Sequence, residues 1–260
     1  MSRLPNSTVI YEQPLNERMR AFLRLEHLFH RVEHELGNSD PWSNRTALET
    51  IISIMTIVSR ADLKAELMSE LKRHAGTLEG LEHNPHVDLE RLHTILGKTR
   101  SLLEGLRTGE GPLGAELKDN ELLGSIRQRA SIPAGTCAFD APGLHFWLQG
   151  SDDHRLGDLR RWLATYDAVR DTVLLCLSLV RESASATRET AVAGYFQQSL
   201  AKGSTYQMIR IALPADAPWY PEVSAGPHRF TIRFLMQTTE NARPQQVGEN
   251  VEFDLLYCVL

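Results

Sequence analysis

Apolar residues at helical spacing dominate the chain as far as about Ser183. From Leu15 they recur every three or four residues and form one broad face, which predicts a long, half-buried helix. The apolar positions after Leu15 on this face are Met19, Phe22, Leu23, Leu25, Phe29, Val32 and Leu36. The first half of the chain is therefore predicted to be built from amphipathic helices.

Start signals mark the helices that follow. Asp40-Pro41 is typical of an N-cap with proline at the first helical position. Ser59–Asp62 resembles a capping box with Asp in place of Glu, and Asp88 precedes another run of leucines at helical spacing. A further helix is predicted from about Leu117 into a pair of arginines.

The longest helical pattern runs from Asp153 to about Arg181. Its last turns are apolar nearly all round, whereas a surface helix keeps one polar face. Two interpretations remain open, a helix enclosed by its own domain and the seam of a homodimer. The seam would be formed by Val173, Leu174 and Leu177.

From Thr187 onward the apolar period changes to two, which predicts strands. In "RFTIRFLM", residues 229–236, the aromatic and aliphatic positions alternate with Arg229, Thr231 and Arg233. One face of this strand is predicted to be core, and the other presents two arginines to solvent. The segments "YQMIRIALP" and "VEFDLLYCV" alternate as well, and glycine and proline separate the segments.

These patterns predict an α+β protein in which a mainly helical domain precedes a small antiparallel β-domain. We assign residues 15–183 to the helical domain, which also carries dimerisation, and residues 184–260 to the β-domain. The segment "TVIYEQP" has strand composition, so residues 1–14 are expected to add a strand to the β-domain.

Composition narrows the classes of partner. The chain has 260 residues, 42% of them apolar, and a formal net charge of −5. An acidic balance argues against a general nucleic-acid binder, because phosphate contacts need an excess of Lys and Arg. No apolar stretch is long enough to span a bilayer, so we expect a protein without membrane segments. Three widely spaced cysteines suggest neither a disulfide framework nor a zinc ribbon and fit the reducing cytoplasm.

Candidate chemistry is sparse. Cys137, Asp140 and His145 permit a thiol-dependent regulatory or catalytic protein, because a cysteine nucleophile needs a base and a group that orients it. Against this stands a structural interpretation, in which Cys137 is a small buried thiol and Asp140 caps the helix that begins near Pro142. The structural interpretation is preferred.

A metal site is the other chemical alternative. His83, His86 and His93 are close in sequence, but no cysteine or carboxylate set completes a ligand shell. No phosphate-binding loop, serine elbow or zinc-protease motif occurs. No metal and no cofactor are expected.

Three cationic sets remain in this acidic chain. On the first helix, at about 100° per residue, one narrow stripe lies opposite the apolar face. Its members are Arg20, Arg24, His27 and Arg31. Such a stripe is also typical of an ordinary solvated helix face. The second set is Arg229 with Arg233, and the third is Arg127 with Arg129.

Three long stretches resemble the ZapD family of bacterial cell division proteins, which bind FtsZ. They are "YEQPLNERMRAFLRLEHL" (11–28), "IRQRASIPAGTCAFDAPGLHFWL" (126–148) and "HRFTIRFLMQTTEN" (228–241). The resemblance spans nearly the whole chain. It implies a helical domain with a small β-domain, a symmetric dimer, and binding of the C-terminal peptide of FtsZ, so that one dimer crosslinks and bundles filaments at the Z-ring. It implies no catalysis and places the protein in the cytoplasm at the division septum.

The resemblance also implies a set of peptide-binding residues. They are Arg20, Arg24, Arg60, Lys64, Arg127, Arg129, His145, Arg229 and Arg233. The guanidinium groups are expected to pair with carboxylates of an acidic peptide, and Phe146 or Trp147 is expected to contact its apolar side chains.

Two positions depart from the family pattern. Glu121 stands where relatives carry an arginine, and its charge would oppose an acidic ligand if it faced the site. Ala134 stands where relatives carry a glycine, and we expect this change to stiffen a turn rather than to alter binding.

Overall fold

The computed structural model describes residues 8–201, 206–226, 228–237, 239 and 242–259. The chain divides into two compact units. The sheet unit consists of the described parts of residues 1–20 and 178–260, and the helical unit consists of residues 21–177.

Helices account for most of the chain up to Glu182. Their bounds are α1 Glu17–Glu35, α2 Pro41–Val58, α3 Leu63–Glu79, α4 Leu89–Thr108, a 3-10 helix at Ala115–Leu117, α5 Glu121–Arg129, α6 Pro142–Leu148, α7 Asp152–Ala164 and α8 Asp167–Glu182. The predicted cap at Asp40 is confirmed, since its carboxylate accepts hydrogen bonds from the amides of Trp42 and Ser43. Within the described part of the chain, no helix is both long and apolar enough to cross a membrane.

The prediction of one long helix at the end of the helical region was wrong. The pattern from Asp153 to Arg181 forms two helices, because the chain turns at Thr165 and Tyr166, where α7 ends. The turn buries the ring of Tyr166 against Gly114, where an added Cβ would lie 2.5 Å from the tyrosine oxygen. Both helices keep the same apolar phase, so the periodicity does not reveal the break.

The capping box predicted at Ser59–Asp62 is absent. Ser59 instead ends α2, and its hydroxyl donates to the carbonyl of Thr56 at 2.9 Å. Asp62 is the N-cap of α3 but makes no side-chain cap hydrogen bond. Its carboxylate is bound by Arg60 at 2.9 Å, which draws it away from the helix amides.

The sheet unit contains two antiparallel sheets. The strands are β1 Thr8–Pro14, β2 Ser185–Ala191, β3 Tyr195–Ser199, β4 Tyr206–Pro214, β5 Trp219–Ala225, β6 Arg229–Met236, β7 Gln245–Gln246 and β8 Val251–Val259. The first sheet has the order β1-β4-β8-β2, and the second has the order β3-β6-β5 with β7 beside β6. The helices together with these sheets confirm the predicted α+β class.

The two sheets share one apolar core. From β6 they bury Phe230, Ile232 and Phe234 in contact with residues of β4 and β8. The ring centroids of Phe234 and Phe253 lie 5.1 Å apart, within the range of favourable aromatic pairs. Because side chains alternate along a strand, this burial turns the intervening residues of β6 to the opposite face of the sheet.

A carboxylate shared by two arginines ties together elements of the sheet unit. Glu12 on β1 lies directly opposite Arg210 on β4, and its Oε1 is 2.9 Å from Nε of Arg210. Arg181, at the end of α8, donates to both Glu12 oxygens at 2.8 and 2.7 Å. Burial alone would raise the pKa of Glu12, but the hydrogen bonds and charges of Arg181 and Arg210 hold that pKa below its usual value.

Glu12→Gln is expected to lower the free energy of unfolding near neutral pH by about 1–3 kcal/mol, because it leaves two partly buried guanidinium groups without their carboxylate. The pKa of Glu12 is lower in the folded state, so its contribution is full above the unfolded-state pKa and is lost as pH falls through the folded-state pKa. Urea unfolding of both proteins at several pH values between 7 and 3 measures this. A gap between variant and parent that stays constant over this range would contradict the assignment.

Candidate functional site

The cationic stripe of α1 lies on the exposed side of the helix, as predicted. Phe22, Leu25 and Phe29 on the opposite side are fully buried. Arg20 is half-buried, and its Nε lies 3.2 Å from Oε1 of Glu17. Arg24 is exposed and makes no ion pair with any residue that the structure describes. The stripe therefore offers a guanidinium group that no carboxylate of the described residues occupies.

The second cationic set lies on β6. Arg229 and Arg233 are both exposed, on the face opposite the shared core. Arg233 sits between Tyr195 of β3 and Glu222 of β5 in the strand pairing, and its Nη2 contacts Oε2 of Glu222. Arg229 pairs with Ser199 across the sheet and has no ion-pair partner among the described residues. Within the described part of the chain, the two arginines thus differ, since Arg233 is paired with Glu222 and Arg229 is unpaired.

Sequence reasoning did not identify Glu222. The hairpin formed by β5 and β6 around Gly226 and His228 could have identified it, because a hairpin fixes which residues lie opposite each other. Ala225 pairs with Phe230, so counting back from that pair brings Glu222 opposite Arg233. Alternation alone assigns the face of each residue but not its partner across the sheet.

Arg60 and Lys64 are already engaged within the helical unit. Arg60 pairs with Asp62 at 2.9 Å and with Glu66 at 3.4 Å. Nζ of Lys64 donates to the carbonyls of Gly109 and Gly111 at 2.8 and 3.1 Å. A ligand at either residue would have to replace these contacts.

One member of the third cationic set, Arg129, lies at a groove of about 390 Å³ between α2, α5 and the loop that follows α5. Arg129 lines the groove and donates to the carbonyl of Ser125 at 2.8 Å, and Glu49 lines the groove as well. Arg127 is exposed. Burial raises the pKa of Tyr166 to about 12, and the positive charge of Arg127 partly offsets that rise. Glu121 lines a different depression, with Ser125 and Gln128, and not the groove of Arg129.

The short helix α6 carries the predicted aromatic contact residues. His145 is exposed, and 81% of Phe146 is accessible to solvent. Trp147, which we expected to offer an apolar wall, is 7% exposed, and its Nε1 donates to Oδ2 of Asp158 at 2.9 Å. The indole also packs on Trp162, with ring centroids 5.8 Å apart. Of the two aromatic residues predicted to contact the peptide, Phe146 is therefore the one with accessible surface.

Cys137 has a carboxylate as its hydrogen-bond partner. Its Sγ lies 3.3 Å from Oδ2 of Asp140. Asp140 was predicted to cap α6, but the N-cap is Ala141 and no side-chain cap bond forms. A thiol nucleophile needs a base within hydrogen-bond reach, and the structure gives the thiol an aspartate in that position rather than His145.

A metal site was the other chemical alternative. Over residues 8–201, 206–226, 228–237, 239 and 242–259, no cluster of three His, Cys, Asp or Glu side chains is arranged to hold a metal ion.

The three residues assigned to a dimer seam differ in exposure. Val173 and Leu177 are fully buried within the chain, whereas Leu174 is partly exposed. Burial removes the first two side chains from contact with a second subunit. Leu174 is the member of this set that offers surface to one.

The loop after α5 contains a strained residue. Ala134 has φ of 56°, in the left-handed region that glycine favours. An L side chain is disfavoured at this φ, so alanine adds strain to the turn besides the expected stiffening. The expectation that binding is unaltered stays a prediction. The next residue, Gly135, is closely packed, and an added Cβ would lie 2.8 Å from the carbonyl of Arg129.

Together these features define an α+β protein that exposes guanidinium groups, which suit pairing with carboxylates, on a helix face and on a sheet face. The chain belongs to the ZapD family of cell division proteins. The family model, described as a cell division protein, matches residues 23–233. The chain is also 39% identical over 252 residues to the cell division protein ZapD of Methylococcus capsulatus, an alignment that covers 97% of this chain and 98% of that relative.

Ala134→Gly is expected to raise the free energy of unfolding by roughly 0.5–1 kcal/mol, because relief of the left-handed strain exceeds the entropic cost of glycine. Ala130→Gly is the matched control, since Ala130 has φ of −59° and gains nothing from glycine. Thermal unfolding of both variants tests this. Equal loss of stability in the two would contradict the assignment of strain to Ala134.

Proposed function

We propose that this protein binds the C-terminal peptide of FtsZ and, as a homodimer, crosslinks and bundles FtsZ filaments at the Z-ring. Membership of a cell division family supports a role in cell division. The observation that carries the proposal is the exposed face of β6, where Arg229 and Arg233 point away from the core. In this proposal the protein acts in the cytoplasm at the division septum and without catalysis.

The spacing of the two arginines on β6 suits an extended acidic peptide. Residues four apart on a strand lie about 13 Å apart on the same face. A peptide in extended conformation offers carboxylates at similar intervals, and the planar guanidinium group pairs with each of them in bidentate fashion. Arg20 belongs to the same compact unit as this pair.

The helical unit carries the other residues that the family resemblance implies for peptide binding. Arg24, Arg127 and His145 are exposed and need no rearrangement to meet a carboxylate. Phe146, beside His145, offers an aromatic surface to an apolar side chain of the peptide. The members that must first exchange contacts within the chain are Arg60, Lys64 and Arg129.

Single-site binding is expected to be weak, because an exposed ion pair is worth only about 0–1 kcal/mol. Charges then mainly steer and orient the peptide, and apolar contacts hold it. Two sites on one dimer convert weak contacts into filament bridging, since the second engagement is partly intramolecular. In this proposal the dimer forms through the segment of α8 that contains Val173, Leu174 and Leu177, with Leu174 at the contact.

Reversing both charges of β6, Arg229→Glu with Arg233→Glu, is expected to reduce co-sedimentation with FtsZ filaments to background, because each carboxylate of the peptide would then meet another carboxylate. Light scattering is expected to give the double variant the same molecular mass as the unaltered protein, which shows that its oligomeric state is unchanged. Arg188→Glu is a control for charge reversal on a surface outside the proposed site, since Arg188 is an exposed arginine of the other sheet. Undiminished pelleting of the double variant would refute this placement of the site.

A further inference from the structure

The outer face of the second sheet already holds one acidic side chain where a ligand carboxylate is proposed to bind. Glu222 and Arg233 are direct partners in the pairing of β5 with β6, and Oε2 of the glutamate contacts Nη2 of the arginine. Both side chains are about half exposed, at 56% and 51%. The pair is therefore open to an incoming carboxylate.

We infer that Glu222 is an intramolecular competitor for the acidic ligand, a residue that sets the specificity of the proposed FtsZ-peptide site. The inference rests on the proposed function. A ligand carboxylate at Arg233 must replace Glu222 or share the guanidinium group with its negative charge, whereas Arg229 has no such competitor among the described residues. An isolated carboxylate exchanges one ion pair for another at Arg233 and gains little.

This competition favours ligands with two suitably spaced carboxylates. Such a ligand gains a new pair at Arg229, and that contact raises the effective concentration of its second carboxylate at Arg233. Because the internal pair is exposed, its net contribution is small enough for a bidentate ligand to overcome. Glu222 thus lowers the affinity for ligands with a single carboxylate, whereas a peptide with two suitably spaced carboxylates loses only a modest part of its affinity.

The first sheet provides a matched comparison. Arg188 on β2 is exposed and pairs with Glu252 and Asp254 of β8 at 3.0 and 3.2 Å. Glu252→Gln changes the net charge of the protein by the same amount as Glu222→Gln. It also breaks an exposed ion pair of the same type, on a strand that carries no proposed site residue. Any effect of net charge alone is therefore common to both variants.

The test is titration of the full-length protein with a synthetic peptide of the cognate FtsZ C terminus, with Kd measured by calorimetry at low and moderate salt. Glu222→Gln is expected to lower Kd about two- to fivefold, as expected from the weight of one exposed ion pair. Glu252→Gln is expected to leave Kd unchanged within error. Arg233→Gln is expected to raise Kd, and the double variant Glu222→Gln with Arg233→Gln is expected to match Arg233→Gln alone.

The outcomes separate the inference from the proposed function. If the unaltered protein binds and Arg229→Gln or Arg233→Gln weakens binding, but Glu222→Gln has no effect or weakens it, the inference is overturned and the proposed function stands. A gain from Glu222→Gln that persists in the Arg233→Gln background would overturn competition at Arg233. Failure of the unaltered protein to bind the peptide would overturn both proposals.

Discussion

Burial of three alternating side chains in β6 is the constraint on which the sheet unit and the proposed site both depend. Phe230, Ile232 and Phe234 fill the space between the two sheets, and none of them has exposed surface. When every second side chain of a strand is buried on one face, the side chains between them must point to the other face. The exposed positions of Arg229 and Arg233 are therefore fixed by the same packing that stabilises the unit.

Arginine–carboxylate pairs in the sheet unit stand in two kinds of surroundings, partly buried and exposed. Arg181 and Arg210 share the partly buried Glu12, where loss of one partner leaves charge in a place that water reaches poorly. Arg233 pairs with Glu222 in solvent, where one carboxylate can replace another at little cost. The first arrangement stabilises the fold, and the second leaves a guanidinium group available for exchange with a partner.

Local pattern predicted the class of fold and the exposure of the cationic stripes, because period and phase are properties of single elements. It did not predict the break at Tyr166, since α7 and α8 keep one apolar phase and the turn depends on contact with the distant Gly114. It also did not distinguish buried Trp147 from exposed Phe146, because the partner of Trp147, Asp158, lies on another helix. The pairing of Glu222 needed the hairpin register, which alternation does not contain.

We propose that the outward arginines of β6 contact the C-terminal peptide of FtsZ. Nuclear magnetic resonance of protein labelled with nitrogen-15 at arginine tests it directly, because the Nε–H signal of each side chain reports its own hydrogen-bond partner. On addition of the FtsZ C-terminal peptide, the signals of Arg229 and Arg233 are predicted to shift, and those of Arg188 and Arg210 are predicted to stay in place. Shifts confined to other arginines, with Arg229 and Arg233 unmoved at saturating peptide, would contradict the account.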